Sequence, residues 1–302
     1  MNILLSIACI TYKHENFIDK AIQGFLNQKT NFNLEIIICD DASPDKTEQI
    51  VNKYLSKKYF NIILKYFRHS SNIGQYQNGL FCLKQCTGNY IAFCEGDDYW
   101  TDLNKLQKQV DFLQENQDFN ICYHDVLILN KNGTLIKDFI NKTQKKISSK
   151  FDLAVWGNYI HTCSVVVRNN NFFEYLNSET NFCDYLLYMY FVNDGKIKKI
   201  DECMSVYRYG DGIWSKSSNI EKQKFIIDNI YSILKTTDDD TIKEIMKLRL
   251  NTYILHSLPK YLTKIENFEY QSVHFELNEK IPFSILIQII FKKFIHTIKK
   301  YI

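Results

Sequence analysis

Residues 88–100 read GNYIAFCEGDDYW, a short apolar run that ends in a cluster of acidic residues. The run at residues 90–94 has the length and composition of a buried strand. Toward the N-terminus, similar strands are predicted at residues 3–10, 35–39 and 62–67, and apolar residues between them recur at helical spacing. Strands separated by helices of this length predict a parallel sheet covered by helices on both faces.

The predicted helices of this part of the chain lie at residues 17–28, 44–57 and 74–86. Ser43 is expected to cap the second helix, and Pro44 to occupy its first position. Gly88 is expected to end the third helix. Farther along, the pattern predicts strands at residues 121–129, 163–167 and 197–200, a turn at residues 131–133, a helix at residues 182–192 and helices after Ser215.

The composition is that of an ordinary globular protein, with 45% hydrophobic and 24% charged residues in a chain of 302. A formal net charge of +3 is too small to indicate nucleic acid as a partner. No run approaches the ~18 apolar residues of a membrane span. The nine cysteines include no Cys-x-x-Cys pair, so we expect reduced structural thiols in a cytosolic protein. Cys82 and Cys86 have the spacing nearest to a metal site, which helix packing explains equally well.

Polar residues follow three of the predicted parallel strands, at the sheet edge where such sheets bind ligands. Thr11 and Tyr12 follow the first strand, Asp40 and Asp41 the second, and residues 95–98 (EGDD) the fourth. Adjacent carboxylates repel one another unless a cation or hydrogen-bond donors neutralise them, and their oxygens suit Mg²⁺ or Mn²⁺. A solvated turn is the alternative for residues 95–98, and helix capping is the alternative for the pair at 40–41.

Five segments, in order along the chain, resemble the family 2 glycosyltransferases of the GT-A fold. They are residues 6–13 (SIACITYK), 37–47 (IICDDASPDKT), 72–74 (NIG), 88–100 and 105–109 (KLQKQ). The family usually has Asn where Lys13 stands and Asp where Glu95 stands. The resemblance implies an α/β, Rossmann-like GT-A fold with a mostly parallel sheet flanked by helices. It implies a catalytic domain at residues 1–215, with a nucleotide-sugar half at 1–100 and an acceptor half at 101–215, and a helical extension at 216–302.

The resemblance also implies roles for individual residues. Tyr12 would stack on the nucleobase, Asp41 would accept a hydrogen bond from it, and Asp97 would hold the ribose or the metal. Asp98 would bind the divalent ion, Mn²⁺ or Mg²⁺, that bridges the diphosphate. The full set expected at the donor is Thr11, Tyr12, Asp40, Asp41, Asn72, Gly74, Asp97 and Trp214.

The general base that inversion requires is expected to be Asp184, which resembles the family's base segment at the start of a helix. Its alternative role is that of a helix-terminal acid stabilised by the helix dipole. His161 is a weaker candidate, for the acceptor side. The family often has His after Tyr207-Arg208, and this chain has none there; Gly212, Trp214 and Ser215 would either cover the donor or form an ordinary turn.

We therefore expect a bacterial, metal-dependent, inverting transferase. It would move sugar from a nucleoside diphosphate donor, with UDP favoured, to a glycan or lipid-linked acceptor of a surface polysaccharide, capsule or lipooligosaccharide. A nucleotidyltransferase and a non-catalytic sugar-nucleotide-binding module are the alternatives. Residues 283–302 pair an apolar side with four lysines. They would pack on the protein or a second subunit, or bind the inner membrane face of a cytoplasmic, peripheral enzyme.

Overall fold

The computed structural model describes residues 2–139, 145–171, 183–210, 212 and 216–257. It divides the chain into two compact units. The first comprises residues 1–153 and 157–216, and the second comprises residues 154–156 and 217–302. Within the described parts of the chain, no helix is both long enough and apolar enough to cross a membrane.

The N-terminal part of the first unit alternates strands and helices as predicted. The strands are β1 (Leu5–Thr11), β2 (Leu34–Asp40), β3 (Ile62–Arg68) and β4 (Tyr90–Phe93), and the helices are α1 (Ile18–Leu26), α2 (Thr47–Leu55) and α3 (Gln75–Lys84). The four strands are parallel in the order β3-β2-β1-β4. Nearly every residue of β1 and all of β2 are buried, because helices cover both faces and leave no side of these strands to water.

The remaining strands extend this sheet on the side of β4. The elements are β5 (Tyr99–Trp100), α4 (Lys105–Glu115), β6 (Phe119–Leu129), β7 (Leu135–Lys137), β8 (Ile147–Ser149), α5 (Lys150–Trp156), β9 (Val166–Arg168), α6 (Asp184–Val192) and β10 (Lys196–Arg208). Strand β9 lies antiparallel between β4 and β6, and β10 runs parallel to β6. The result is a mixed α/β fold whose mostly parallel central sheet is flanked by helices.

Two predicted helix boundaries are wrong. Helix α2 begins at Thr47 rather than at Pro44, and the Ser43 hydroxyl does not cap it, because that oxygen accepts a hydrogen bond from Lys13 N instead. Helix α3 ends at Lys84, before Gly88. Gly88 meets a different requirement: a Cβ there would lie 2.7 Å from the backbone carbon of Leu5, so close approach to β1 excludes a side chain.

Other differences lie in the second half of the sheet. The predicted strand at residues 163–167 is a 3₁₀ turn (Thr162–Ser164) followed by the short β9, and the strand predicted at 197–200 is part of the 13-residue β10. The sequence did not predict β5, α4, β7, β8 or α5. Cys82 and Cys86 are buried and their thiols donate to backbone carbonyls, so packing accounts for their spacing.

The second unit contains α7 (Asn219–Thr236) and α8 (Asp240–Ser257), which confirms helices after Ser215. A capping box begins α7, in which the Ser218 hydroxyl accepts from Glu221 N and the Glu221 carboxylate accepts from Ser218 N. The predicted amphipathic helix at residues 283–302 lies outside the described residues.

Candidate active site

The loop after β1 is tied to the loop after β2 by a row of hydrogen bonds. The backbone N–H groups of Lys13, His14 and Glu15 donate to the side chains of Ser43, Thr47 and Asp45, respectively. Lys13 has a φ of 60°, a left-handed conformation that Asn adopts more readily than most residues. This conformation accounts for the Asn that the family usually has at this position. The Lys13 ammonium lies over the ring of the half-buried Tyr12, 4.9 Å from the ring centroid.

Asp41 connects the loop after β2 to the turn that precedes α3. Its carboxylate accepts hydrogen bonds from Ile73 N at 2.7 Å and from Gly74 N at 3.0 Å. The Asn72 amide donates to Asp41 O at 3.3 Å and accepts from Gly74 N, which has a φ of 87°. The structure thus brings together three of the residues predicted to bind the donor.

Asp40 is buried and has protein partners for both carboxylate oxygens. Oδ1 accepts from Ser43 N at 2.8 Å, and Oδ2 accepts from the Tyr66 hydroxyl at 2.7 Å. Thr11, also buried, accepts a bond from Asp41 N through its carbonyl, and its hydroxyl lies 3.1 Å from His14 Nδ1. Through these contacts, Asp40 and Thr11 hold together the loop after β1 and the loop after β2.

The acidic motif lies after β4, and its carboxylate oxygens converge. One oxygen each from Glu95, Asp97 and Asp98 lies within 4.8 Å of the others. Gly96 lies between them where any side chain would collide, since a Cβ would be 2.7 Å from Thr11 Oγ1 and 2.8 Å from His14 Nδ1. The absence of a side chain at this glycine therefore lets the motif pack against the loop after β1.

Burial and mutual repulsion raise the pKa values of two carboxyl groups in the motif. Burial, followed by repulsion from Asp97 and Asp184, raises the pKa of Glu95 to about 8. Burial, followed by Asp97 and Glu95, also raises the pKa of Asp98. Asp98 Oδ1 accepts from Arg208 N at 2.7 Å, whereas Asp98 Oδ2 is buried without a hydrogen-bond partner among the described residues. A hard divalent cation fits such a set of oxygens.

Two residues at the motif were not predicted as functional. The Arg208 guanidinium, at the end of β10, donates from Nε to Asp97 O at 2.6 Å and lies over the Phe17 ring. His14 Nε2 is 3.9 Å from Asp97 Oδ2, and burial lowers the pKa of this imidazole. No local pattern marks either residue, because His14 and Arg208 are both distant in sequence from Asp97, which they approach only in the folded chain.

Asp184 is the first residue of α6, as the sequence predicted. Its Oδ1 accepts from Tyr185 N at 2.8 Å, and its Oδ2 accepts from the side-chain amide of Asn158 at 2.7 Å. Burial raises the pKa of Asp184, and these two hydrogen bonds oppose the increase. Repulsion from Asp184 is one of the causes of the raised pKa of Glu95.

His161 is paired rather than free. Its Nε2 lies 3.1 Å from Asp138 Oδ2, both side chains are buried, and its ring contacts that of Tyr207 at an angle of 39°, with centroids 4.8 Å apart. A structural role accounts for these contacts. Trp214, the remaining predicted donor residue, lies outside the described residues, whereas Gly212 is described and lies close to Asp97, whose Oδ2 would be 3.9 Å from a Cβ at that position.

The mostly parallel sheet, with the acidic motif at the carboxyl ends of its strands, defines a GT-A fold. The family model of glycosyl transferase family 2 matches residues 6–172, more than half of the chain, so the protein belongs to this family.

Relatives extend beyond the family model. An uncharacterized protein of Mycobacterium tuberculosis is 35% identical over 224 residues, which cover 73% of this chain and 63% of that protein. The UDP-Glc:alpha-D-GlcNAc-diphosphoundecaprenol beta-1,3-glucosyltransferase WfaP of Escherichia coli is 28% identical over 227 residues, covering 73% of this chain and 82% of WfaP. The chain thus spans less than two thirds of the mycobacterial relative.

Solved structures confirm the fold. TarS 1-349 of S. aureus in complex with UDP-GlcNAc superposes with a TM-score of 0.65 at 18% identity, over 89% of this chain and 78% of that one. The mannosyltransferase PcManGT from Pyrobaculum calidifontis, in complex with GDP-Man and Mn²⁺, has a TM-score of 0.61 at 11% identity, over 88% and 77% of the two chains.

Proposed function

We propose that this enzyme is a metal-dependent, inverting glycosyltransferase that takes sugar from a UDP-sugar. The observation that carries the proposal is the buried Asp98 Oδ2, which finds no hydrogen-bond donor in the described part of the chain and belongs to a convergent group of three carboxylates. A buried carboxylate oxygen without a donor is costly, and the cation shared with a sugar diphosphate would remove that cost. The complexes of TarS with UDP-GlcNAc and of PcManGT with GDP-Man and Mn²⁺ support the same chemistry.

The donor would lie over the carboxyl ends of β1, β2 and β4. Tyr12 would stack on the base, and the Asp41 carboxylate, which accepts from Ile73 N and Gly74 N, retains lone pairs for a base N–H. Asn72 and Gly74 shape that end of the pocket, and Trp214 would cover it. We assign Asp40 and Thr11 to the support of these loops, since their polar atoms already have protein partners.

Asp97 and Asp98 would hold the divalent ion, Mn²⁺ or Mg²⁺, with Glu95 completing the group of carboxylates. When bound, the ion supplies Lewis-acid stabilisation of the charge that develops on the departing nucleoside diphosphate. Arg208 holds the motif in place through two hydrogen bonds. Its backbone N donates to Asp98 Oδ1, and its Nε donates to the carbonyl oxygen of Asp97.

Asp184 would act as the general base. As the acceptor oxygen forms its bond to the anomeric carbon, its O–H bond breaks and the proton passes to the Asp184 carboxylate. The bond from that carbon to the diphosphate oxygen breaks on the opposite face, and its electron pair leaves with the nucleotide. The attack from one face and the departure from the other invert the anomeric centre.

The acceptor would be a sugar carried on a lipid diphosphate, in the synthesis of a surface polysaccharide, capsule or lipooligosaccharide. The name of WfaP, a relative that aligns over most of its length, supports this choice. The enzyme would be cytoplasmic and peripheral, with residues 283–302 as its membrane contact. The catalytic domain would comprise residues 1–215, and the helical extension residues 216–302. His161 would be a minor contact for the acceptor.

A ligand screen followed by turnover tests the proposal. Thermal unfolding is measured with UDP, GDP, CMP or dTDP, each with and without Mn²⁺, because a specific ligand stabilises the folded state by mass action. We expect the largest shift with UDP and Mn²⁺ together. UDP release from UDP-glucose with a synthetic GlcNAc-diphosphate-lipid then tests transfer. Full turnover in EDTA, or equal shifts with all four nucleotides, would contradict the proposal.

A further inference from the structure

Asn158 holds the carboxylate that we propose as the base, through a hydrogen bond that the sequence gives no reason to expect. Its Nδ2 donates to Asp184 Oδ2 at 2.7 Å across a separation of 26 residues. The residue is exposed and lies in the loop after α5, following Gly157, whose φ of 86° turns the chain out of the helix. The position of the exposed Asn158 side chain is therefore set by the bend of the backbone at Gly157 and not by burial in the core.

The orientation of the Asn158 amide is fixed by its own backbone. Its Oδ1 accepts a hydrogen bond from Ile160 N at 3.0 Å, which forms an Asx turn. Since that N–H needs an acceptor, the carbonyl oxygen must point to the backbone and the NH₂ group must point to Asp184. The hydrogen-bond network thus decides between the two ways of placing the amide.

Both oxygens of the base are consequently held. Tyr185 N binds Oδ1 from the helix terminus, and Asn158 binds Oδ2 from the opposite loop. A carboxylate oxygen accepts more than one hydrogen bond, so each oxygen keeps a lone pair for a proton. The Asn158 amide does not ionise, and hence it donates at every pH at which the enzyme works.

We infer that Asn158 is the positioning residue of the catalytic base. It fixes the rotation of the Asp184 carboxylate, so that a lone pair faces the acceptor hydroxyl, and it stabilises the ionised form that accepts the proton. A base that is oriented by a third group is a recurrent arrangement in enzymes, and small errors in such geometry are costly in rate. The inference rests on the proposed role of Asp184.

The substitution Asn158→Asp separates this role from that of the turn. The new side chain retains Oδ1, so it still accepts from Ile160 N, whereas the atom that faces Asp184 becomes a negatively charged oxygen that cannot donate. A residue needed only for the turn would tolerate this change. A residue that positions the base would not, because the donor is lost and a like charge is added.

The matched control is Asn132→Asp. Asn132 is also exposed and also forms an Asx turn, since its Oδ1 accepts from Thr134 N at 3.0 Å. It lies in the turn between β6 and β7. Far-UV circular dichroism and thermal unfolding of both variants check that the fold is retained.

The measurement is UDP release from UDP-glucose, with the GlcNAc-diphosphate-lipid as acceptor and with water as acceptor where the lipid is not used. We expect Asn158→Asp to lower kcat by ~10²-fold and Asn158→Ala by ~10-fold, with the KM for UDP-glucose unchanged, because a misplaced base affects the reaction and not donor binding. In an Asp184→Asn background, Asn158→Ala is expected to have no further effect.

The outcomes distinguish the two levels of the argument. If Asp184→Asn leaves turnover unchanged, the proposed base is wrong. If Asp184→Asn abolishes turnover while the kcat of Asn158→Asp equals that of Asn132→Asp, Asp184 remains the base and the positioning role of Asn158 is refuted. A rise in KM without a fall in kcat would refute it equally.

Discussion

Replacing Glu95 by Gln should stabilise the metal-free enzyme, although the change falls within the proposed metal site. Glu95 has a pKa of about 8 in the folded protein, against 4.5 for an ordinary glutamate. The folded state therefore binds this proton more tightly than the unfolded state. The stability that this proton contributes is present below pH 4.5 and is lost as the pH rises through 8.

The size of the effect follows from the same shift. Each pH unit between the unfolded pKa and the working pH costs about 1.4 kcal/mol, so at pH 7 the ionisation of Glu95 in the unfolded chain removes about 3 kcal/mol of stability. Glutamine has the same shape and never ionises. We expect the free energy of unfolding of Glu95→Gln to exceed that of the wild type by about 3 kcal/mol at pH 7 and by nearly nothing at pH 4.5.

The assay is urea unfolding in EDTA at both pH values. Glu115→Gln, at an exposed position at the end of α4, is the control for loss of a glutamate charge. The reasoning is refuted if Glu95→Gln is no more stable than the wild type at pH 7, or if its gain is the same at both pH values.

Three further predictions concern the metal, the packing and the membrane. Asp98→Ala should abolish transfer and remove the thermal shift that Mn²⁺ causes with UDP, while circular dichroism shows an intact fold; a retained shift would place the ion elsewhere. Gly88→Ala should cost about 1–3 kcal/mol in urea unfolding, because its Cβ would press on the backbone of β1, whereas Gly133→Asn, in open space at a φ of 81°, should cost little. The enzyme should cosediment with anionic vesicles more than a variant in which Gln replaces Lys292, Lys293, Lys299 and Lys300. Each lysine near such a surface adds about 1 kcal/mol of electrostatic attraction. Equal binding by the two proteins would contradict a membrane contact.

The sequence predicted the N-terminal half of the sheet because its signals there are local. Each of β1 to β4 was found within two residues, since a buried parallel strand is a continuous apolar run. The start of α2 was misplaced because Ser43 and Pro44 have the composition of a helix start but form loop contacts. The short strands β5, β7 and β8 carry too few residues for a periodic pattern, and the fold alone brings them to the sheet.

The candidate site shows the same division. Asp41, Asp97, Asp98 and Asp184 were predicted because family motifs are contiguous in sequence. Their partners were not, since Arg208 and Asn158 reach the carboxylates from distant segments. Such partners are a property of the folded chain: a hydrogen bond to Asp98 from β10 exists only because β10 pairs with β5 and β6.

The raised pKa of Glu95, which is grouped with the proposed metal ligands, gives one last prediction, that metal binding releases protons. At pH 7 a group with a pKa of about 8 is mostly protonated, and a cation at Asp97 and Asp98 would lower that pKa and expel the proton. Calorimetric titration with Mn²⁺ and UDP at pH 7, in buffers of different ionisation enthalpy, should show more proton release by the wild type than by Glu95→Gln, in which only Asp98 keeps a raised pKa within the motif. Equal release by the two proteins would show that Glu95 is not a source of the released protons.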